Sequence, residues 1–150
     1  MSELKKRITD DIKAAMKGSD KTRLGTLRMI SAAIKQREVD ERIELSDEQI
    51  LTVLDKMSKQ RRESIAQYDA AGRDDLSAVE KNELAIIQEF LPAQLTDEEI
   101  DALIKDALAA TGAADIKDMG KVMGFVKPKA QGRADMSQIS ARIRAQLGAG

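Results

Sequence analysis

Side-chain catalysis needs groups that trade protons, attack a substrate or hold a metal, and this chain lacks two of the usual ones: it has no histidine and no cysteine. That removes thiolate nucleophiles, the commonest zinc ligands and the one side chain whose ordinary pKa lies near neutrality. Carboxylates, lysines, serines and threonines remain, but neither a GxSxG elbow nor a P-loop spacing frames them. The expectation is a protein with no catalytic residue, no cofactor and no metal, which is not an enzyme on its own.

What the residue types do offer is charge, sorted along the chain. The formal net charge is only −1, yet residues 1 to 37 are mostly basic, residues 38 to 55 mostly acidic, and Lys56 to Arg62 basic again. In the last third, residues 94 to 118 are mostly acidic, whereas residues 119 to 150 set Lys121, Lys127, Lys129, Arg133, Arg142 and Arg144 against Asp135 alone. Such blocks are either solvated helix faces that pair with one another across the fold or contacts for a polyanion. Phe90, Phe125 and Tyr68 are the whole aromatic set. Base stacking on single strands is therefore disfavoured, and phosphate and shape recognition is the nucleic-acid option left.

The elements that must position these charges are helices. A chain that is 42% hydrophobic but 2% aromatic builds its core from Leu, Ile, Val, Met and Ala, which suits helix-on-helix packing and argues against a β-sandwich. Periodic apolar residues and caps predict four helices before Pro92. The first carries Leu4, Ile8, Ile12 and Met16 behind Ser2, and the second Leu24 to Ile34 behind Asp20, its end lying unplaced between Glu38 and Leu45. The third follows the capping box Ser46 to Gln49, and the fourth runs from Asp74–Asp75 to Phe90 and Leu91, with Val79 on its apolar stripe. Pro92 stops the fourth helix, and Thr96 with Glu99 starts the next, so the spacing predicts two units, 1–92 and 93–150, meeting at a joint packed with Phe90, Leu91 and Leu95. Three helices are predicted after the joint. One ends at Gly112, one runs from Asp115 to a stop at Pro128, and the last follows Asp135 on Ile139, Ile143 and Leu147. Gly120 and Gly124 fall inside the middle one, where each costs roughly 1 kcal/mol against alanine, and close backbone approach is the reason expected for them. Met119 and Met123 share one face and are expected to fill the core.

No run approaches the length of about 18 apolar residues that a membrane span needs, and the absence of cysteine agrees with a reducing compartment. A cytoplasmic protein is expected.

Gln60-Arg61-Arg62-Glu63-Ser64-Ile65, Tyr68, Ala71-Gly72-Arg73 with Asp75-Leu76, Glu80, Glu83 and Leu91-Pro92-Ala93-Gln94-Leu95 together resemble the YqeY family. Asp118-Met119-Gly120-Lys121-Val122-Met123-Gly124, followed by Gly132-Arg133-Ala134-Asp135 and an amphipathic helix, resembles that family too, and also the C-terminal domain of GatB, a subunit of the tRNA-dependent amidotransferase. The resemblance implies an all-α chain with an N-terminal helical domain and a small three-helix GatB/YqeY-type tail. It also implies a tail that holds tRNA or another structured RNA, with Lys121, Lys127, Lys129 and Arg133 as phosphate contacts and Gly120, Met123, Gly124, Gly132 and Asp135 as its packing residues. Of these, Lys127 to Arg133 is the stronger stretch, since a loop at a helix N-terminus would add backbone amides to its cations, with Asp135 competing as the cap. Arg62, Arg73 and Asp75 fit the family pattern and read as a salt-bridged helix junction.

Three functions compete on this footing. One is an RNA-binding accessory to amidotransferases or other tRNA enzymes, another a helical adaptor between proteins, and the third a component of a carbon-nitrogen ligase that takes its amide nitrogen from glutamine.

Overall fold

A computed structural model of the chain describes residues 2–148. The described residues form seven α-helices and no strand: α1 Glu3–Lys17, α2 Lys21–Glu41, α3 Asp47–Ala70, α4 Asp74–Gln88, α5 Asp97–Thr111, α6 Met119–Ala130 and α7 Met136–Gly148, with a short 3-10 helix, Ile116–Asp118, ahead of α6. The fold is all-α. The chain forms two compact units, Met1–Pro92 and Ala93–Gly150, and each has its own core.

In the first unit the local signals act as their chemistry dictates. The Ser2 hydroxyl accepts from the Lys5 amide at 3.0 Å and starts α1, Asp20 does the same for Arg23 in α2, and Ser46 and Gln49 satisfy each other's backbone amides at the start of α3. Leu27, Ile30 and Ile34 of α2, Ile50 and Leu54 of α3 and Ile87 of α4 are buried together. The uncertain end of α2 falls at Glu41, where Arg42 adopts φ 56 as the C-cap. The Glu38 carboxylate fixes this turn, accepting from Lys5 Nζ at 2.8 and 2.9 Å and from the Leu45 amide at 2.9 Å.

Two apolar stripes sit differently from expectation. Met16 and Val79 are 54% and 56% exposed, whereas Ala15 beside Met16 and Ser77 and Ile87 on α4 turn inward instead. Arg61, which interrupts the stripe of α3, packs against α4 with Nε 3.0 Å from Glu83 and 3.7 Å from Glu80. Arg73 lies 3.3 Å from Asp75 at the α3–α4 turn, as the junction reading expects, whereas Arg62 makes no ion pair among the described residues.

Phe90 and Leu91 bury in the first unit's core and Leu95 packs against the second unit's. In the second unit Thr96 and Glu99 form a reciprocal capping box for α5, and Gly112 closes that helix at φ 64, a left-handed conformation that glycine adopts without a Cβ penalty. Ile104, Val122, Val126, Ile139 and Ile143 are fully buried at the centre, with Met119, Met123, Phe125 and Leu103 around them.

Candidate nucleic-acid interface

The candidate residues lie on α6 and on the turn that follows it. That helix runs further than expected: Pro128 is inside it, and α6 ends at Ala130. A proline removes the hydrogen bond to the carbonyl four residues back and crowds it. Here that carbonyl belongs to Gly124, whose bare backbone can tilt to make room, while the burial of Val126 and Ala130 holds the last turn against the core. Lys127 and Lys129 are therefore helical and exposed, not part of a loop.

At 100° per residue, Gly120, Gly124 and Lys127 share the outer face of α6, with Lys121 and Pro128 on one flank; all five are exposed. The packing role expected for the two glycines does not hold, since a Cβ built on either would meet nothing within 4 Å. The reason is rotational, because the inward face of α6 belongs to Val122, Val126 and Ala130. Neither Lys121 nor Lys127 has an ion-pair or hydrogen-bond partner among the described residues. Lys121 does sit near Asp118, whose carboxyl is held below the ordinary carboxylate range first by the amides of Ala114 and Asp115 and then by this lysine.

The other two cations point elsewhere. Lys129 lies about half a turn round the helix from Lys127, its Nζ 3.9 Å from the centroid of the Phe125 ring, a cation–π contact that holds it along the helix side. Arg133 donates from Nε to the Ala93 carbonyl at 3.0 Å, and its own carbonyl accepts from the Leu95 amide at 2.7 Å. It also helps to hold Glu99 below its ordinary value, after the Thr96 amide and hydroxyl. The structure thus brings Lys121 and Lys127 together with the glycines, and separates Lys129 and Arg133 from them.

The remaining packing residues serve the turn. Gly132 is buried at φ 77, a conformation strained for any residue with a Cβ, and its carbonyl accepts from Gln94 Nε2 at 3.0 Å. Asp135 Oδ1 accepts from the Ser137 amide at 3.0 Å. The N-terminus of α7, where an anion was expected to benefit from free amides, is thus already served by the chain's own carboxylate. Arg142, one of the tail's cations but not an expected phosphate contact, is fixed at 2.7 Å from Asp97 and 3.3 Å from Asp101, and those carboxylates raise its pKa. Among the described residues no group of three or more His, Cys, Asp or Glu side chains could hold a metal ion, and no helix is long and apolar enough to cross a membrane.

The family described as "Yqey-like protein" matches residues 5–147. Similar proteins carry the name "Altered inheritance of mitochondria protein 41, mitochondrial". That of Pyrenophora tritici-repentis is 31% identical over 147 residues, covering 95% of this chain and 80% of the relative. That of Kluyveromyces lactis is 30% identical, covering 91% and 80%, and that of Vanderwaltozyma polyspora 27% identical, covering 91% and 77%. These names overturn the cytoplasmic location expected from composition, because they place the relatives in mitochondria.

Proposed function

This chain belongs to the Yqey-like protein family, and from that starting point we propose that its second unit is an RNA-binding module and the whole protein an accessory factor to enzymes that act on tRNA. Amidotransferase-type, glutamine-dependent carbon-nitrogen ligases are the enzymes it would serve, given the likeness of the tail to the GatB C-terminal domain. The tail would add RNA-holding capacity, and the chemistry would belong to the partner.

One observation carries the proposal: the outer face of α6 holds two unpaired lysines beside two glycines for which the fold has no packing use. Each glycine costs the helix about 0.5–1 kcal/mol relative to alanine. A phosphate backbone lying across this face supplies a reason for Gly120 and a second one for Gly124 beside its accommodation of Pro128, since bare helix lets sugar and phosphate approach while Lys121 and Lys127 neutralise charge. Lys129 would add to the flank. Arg133 is partly committed to the turn and would position more than bind. With Phe125 covered by Lys129 and no other aromatic in the unit, recognition would be of backbone and shape and weakly sequence-specific.

Filter binding of several folded tRNAs to the full chain over a salt series tests this. Lys121→Glu with Lys127→Glu should weaken binding to all tRNAs alike and flatten the log-log salt slope by roughly 1.5–2 units, one cation meeting one phosphate. An unchanged slope in the double variant, or no wild-type binding at low salt, would refute the proposal.

A further inference from the structure

The inner face of α2 belongs to the first unit's core, and its outer face carries a pattern for which the fold has no use. Lys21, Arg28, Lys35 and Arg42 stand at seven-residue intervals, Gly25, Ala32 and Val39 fall between them in alternating steps of four and three, and every one of these residues is exposed. Seven helical residues rise roughly 10.5 Å, so the four cations mark a line about 32 Å long.

These charges are not paired within the first unit. None of the four has an ion-pair or hydrogen-bond partner among the described residues. The carboxylates nearest them on α2 are engaged elsewhere: Glu38 with Lys5, Asp40 with Gln36, Glu41 with Arg37, and Asp20 with the Arg23 amide. Arg42 even occupies a left-handed position, φ 56, where glycine would fit without strain. Apolar surface follows the same helix. Three of the six large exposed hydrophobic side chains, Met29, Val39 and Ile43, lie on α2 or just beyond it. Beside its first turns, Lys21, Gly25, Met29, Ala78 and Val79 line a groove of about 460 Å³.

We propose that the outer face of α2 docks an acidic amphipathic helix of a partner protein. Carboxylates at seven-residue spacing on that helix face Lys21, Arg28, Lys35 and Arg42, and aliphatic side chains lie over Gly25, Ala32 and Val39 and enter the groove beside Met29. A partner helix shares the 10.5 Å repeat, and small residues at alternate positions let two helices approach closely. A strict seven-residue repeat drifts about 20° per heptad around a straight helix, the drift that a second helix follows at a shallow crossing angle. A second copy of this chain does not fit, because it would set cation against cation. Nucleic acid fits less well: each strand presents a phosphate about every 3.4 Å of axis and gives no reason for a seven-residue repeat or for interleaved aliphatics, and the A-form major groove is too narrow for a helix. Nothing in this surface depends on the tail's binding RNA.

Fluorescence anisotropy with the full chain tests the proposal. The probe is a labelled synthetic helix of about four heptads, long enough to span the stripe, with glutamate at every seventh position and leucine between. A peptide of the same composition with irregularly spaced acids is the control, and folded tRNA is titrated in parallel. The regular peptide should bind roughly tenfold tighter than the irregular one, and Arg28→Glu with Lys35→Glu should weaken it by roughly tenfold or more, as expected when attractive pairs become repulsive. The milder Arg28→Gln with Lys35→Gln should fall between, with helix content unchanged by circular dichroism in both variants and tRNA affinity unaltered. Equal binding of the two peptides, no binding of the regular one at low salt, or indifference to the substitutions would overturn the proposal. Loss of tRNA binding with peptide binding intact would overturn it too, and would make the stripe a nucleic-acid surface.

Discussion

Replacing Gly120 and Gly124 together by alanine should stabilise the protein while weakening its hold on RNA. Both lie in α6 on its exposed face, both have room for a Cβ, and neither has a positive φ. Alanine therefore brings its helix propensity with no clash, worth up to about 1 kcal/mol at an interior position. Gly120 is the second residue of the helix and contributes less than a central site, and Gly124 surrenders some of its gain because its carbonyl faces Pro128. The pair should add about 1 kcal/mol in total, a rise in melting temperature of roughly 2–4 °C for a chain of this size. Differential scanning calorimetry of the full chain measures the first effect and filter binding the second. A loss of stability greater than about 1 kcal/mol would mean that the glycines serve internal packing after all, and would remove the physical reason for assigning that face to a ligand.

Two further outcomes follow from the first unit. Arg61 is the common partner of Glu83 and Glu80, all three largely shielded from water, so Arg61→Met should cost about 1–3 kcal/mol in denaturant unfolding by leaving carboxylates uncompensated, whereas Arg61→Met with Glu80→Gln and Glu83→Leu should regain most of it. The Glu38 carboxyl is held below its ordinary value of 4.5 by Lys5 first and the Leu45 amide second. A lowered folded-state pKa stabilises above the unfolded value and is lost as pH falls through the folded one, so the stability of Glu38→Gln should change less than wild type between about pH 5 and pH 3.

The features legible in the sequence are those fixed within a few residues. Ser46 with Gln49, Thr96 with Glu99 and Gly112 announce helix ends through bonds or backbone angles that the local chain alone determines, and the period of Ile139, Ile143 and Leu147 gives the buried face of α7 directly. What required the fold was rotation about a helix axis and competition between rules. Pro128 obeys a local stop rule that the burial of Ala130 outweighs, so Lys127 and Lys129 are carried to different sides of a helix instead of sharing a loop. Gly120 and Gly124 have the spacing of a packing motif but face outward. The cations of α2 were visible as a basic block, but Lys21, Arg28 and Lys35 separate from Arg23 and Arg37 only once the partners Glu89 and Glu41 are in place.

The most direct measurement is a titration of the isotope-labelled full chain with folded tRNA, followed through the backbone amide resonances. If RNA lies across the outer face of α6, the Gly120 and Gly124 amides should shift or broaden at the lowest additions together with Lys121 and Lys127, while Ile139 and Ile143, buried in α7, stay in place. Perturbations confined to other elements, or none at RNA concentrations that saturate filter binding, would contradict the assignment.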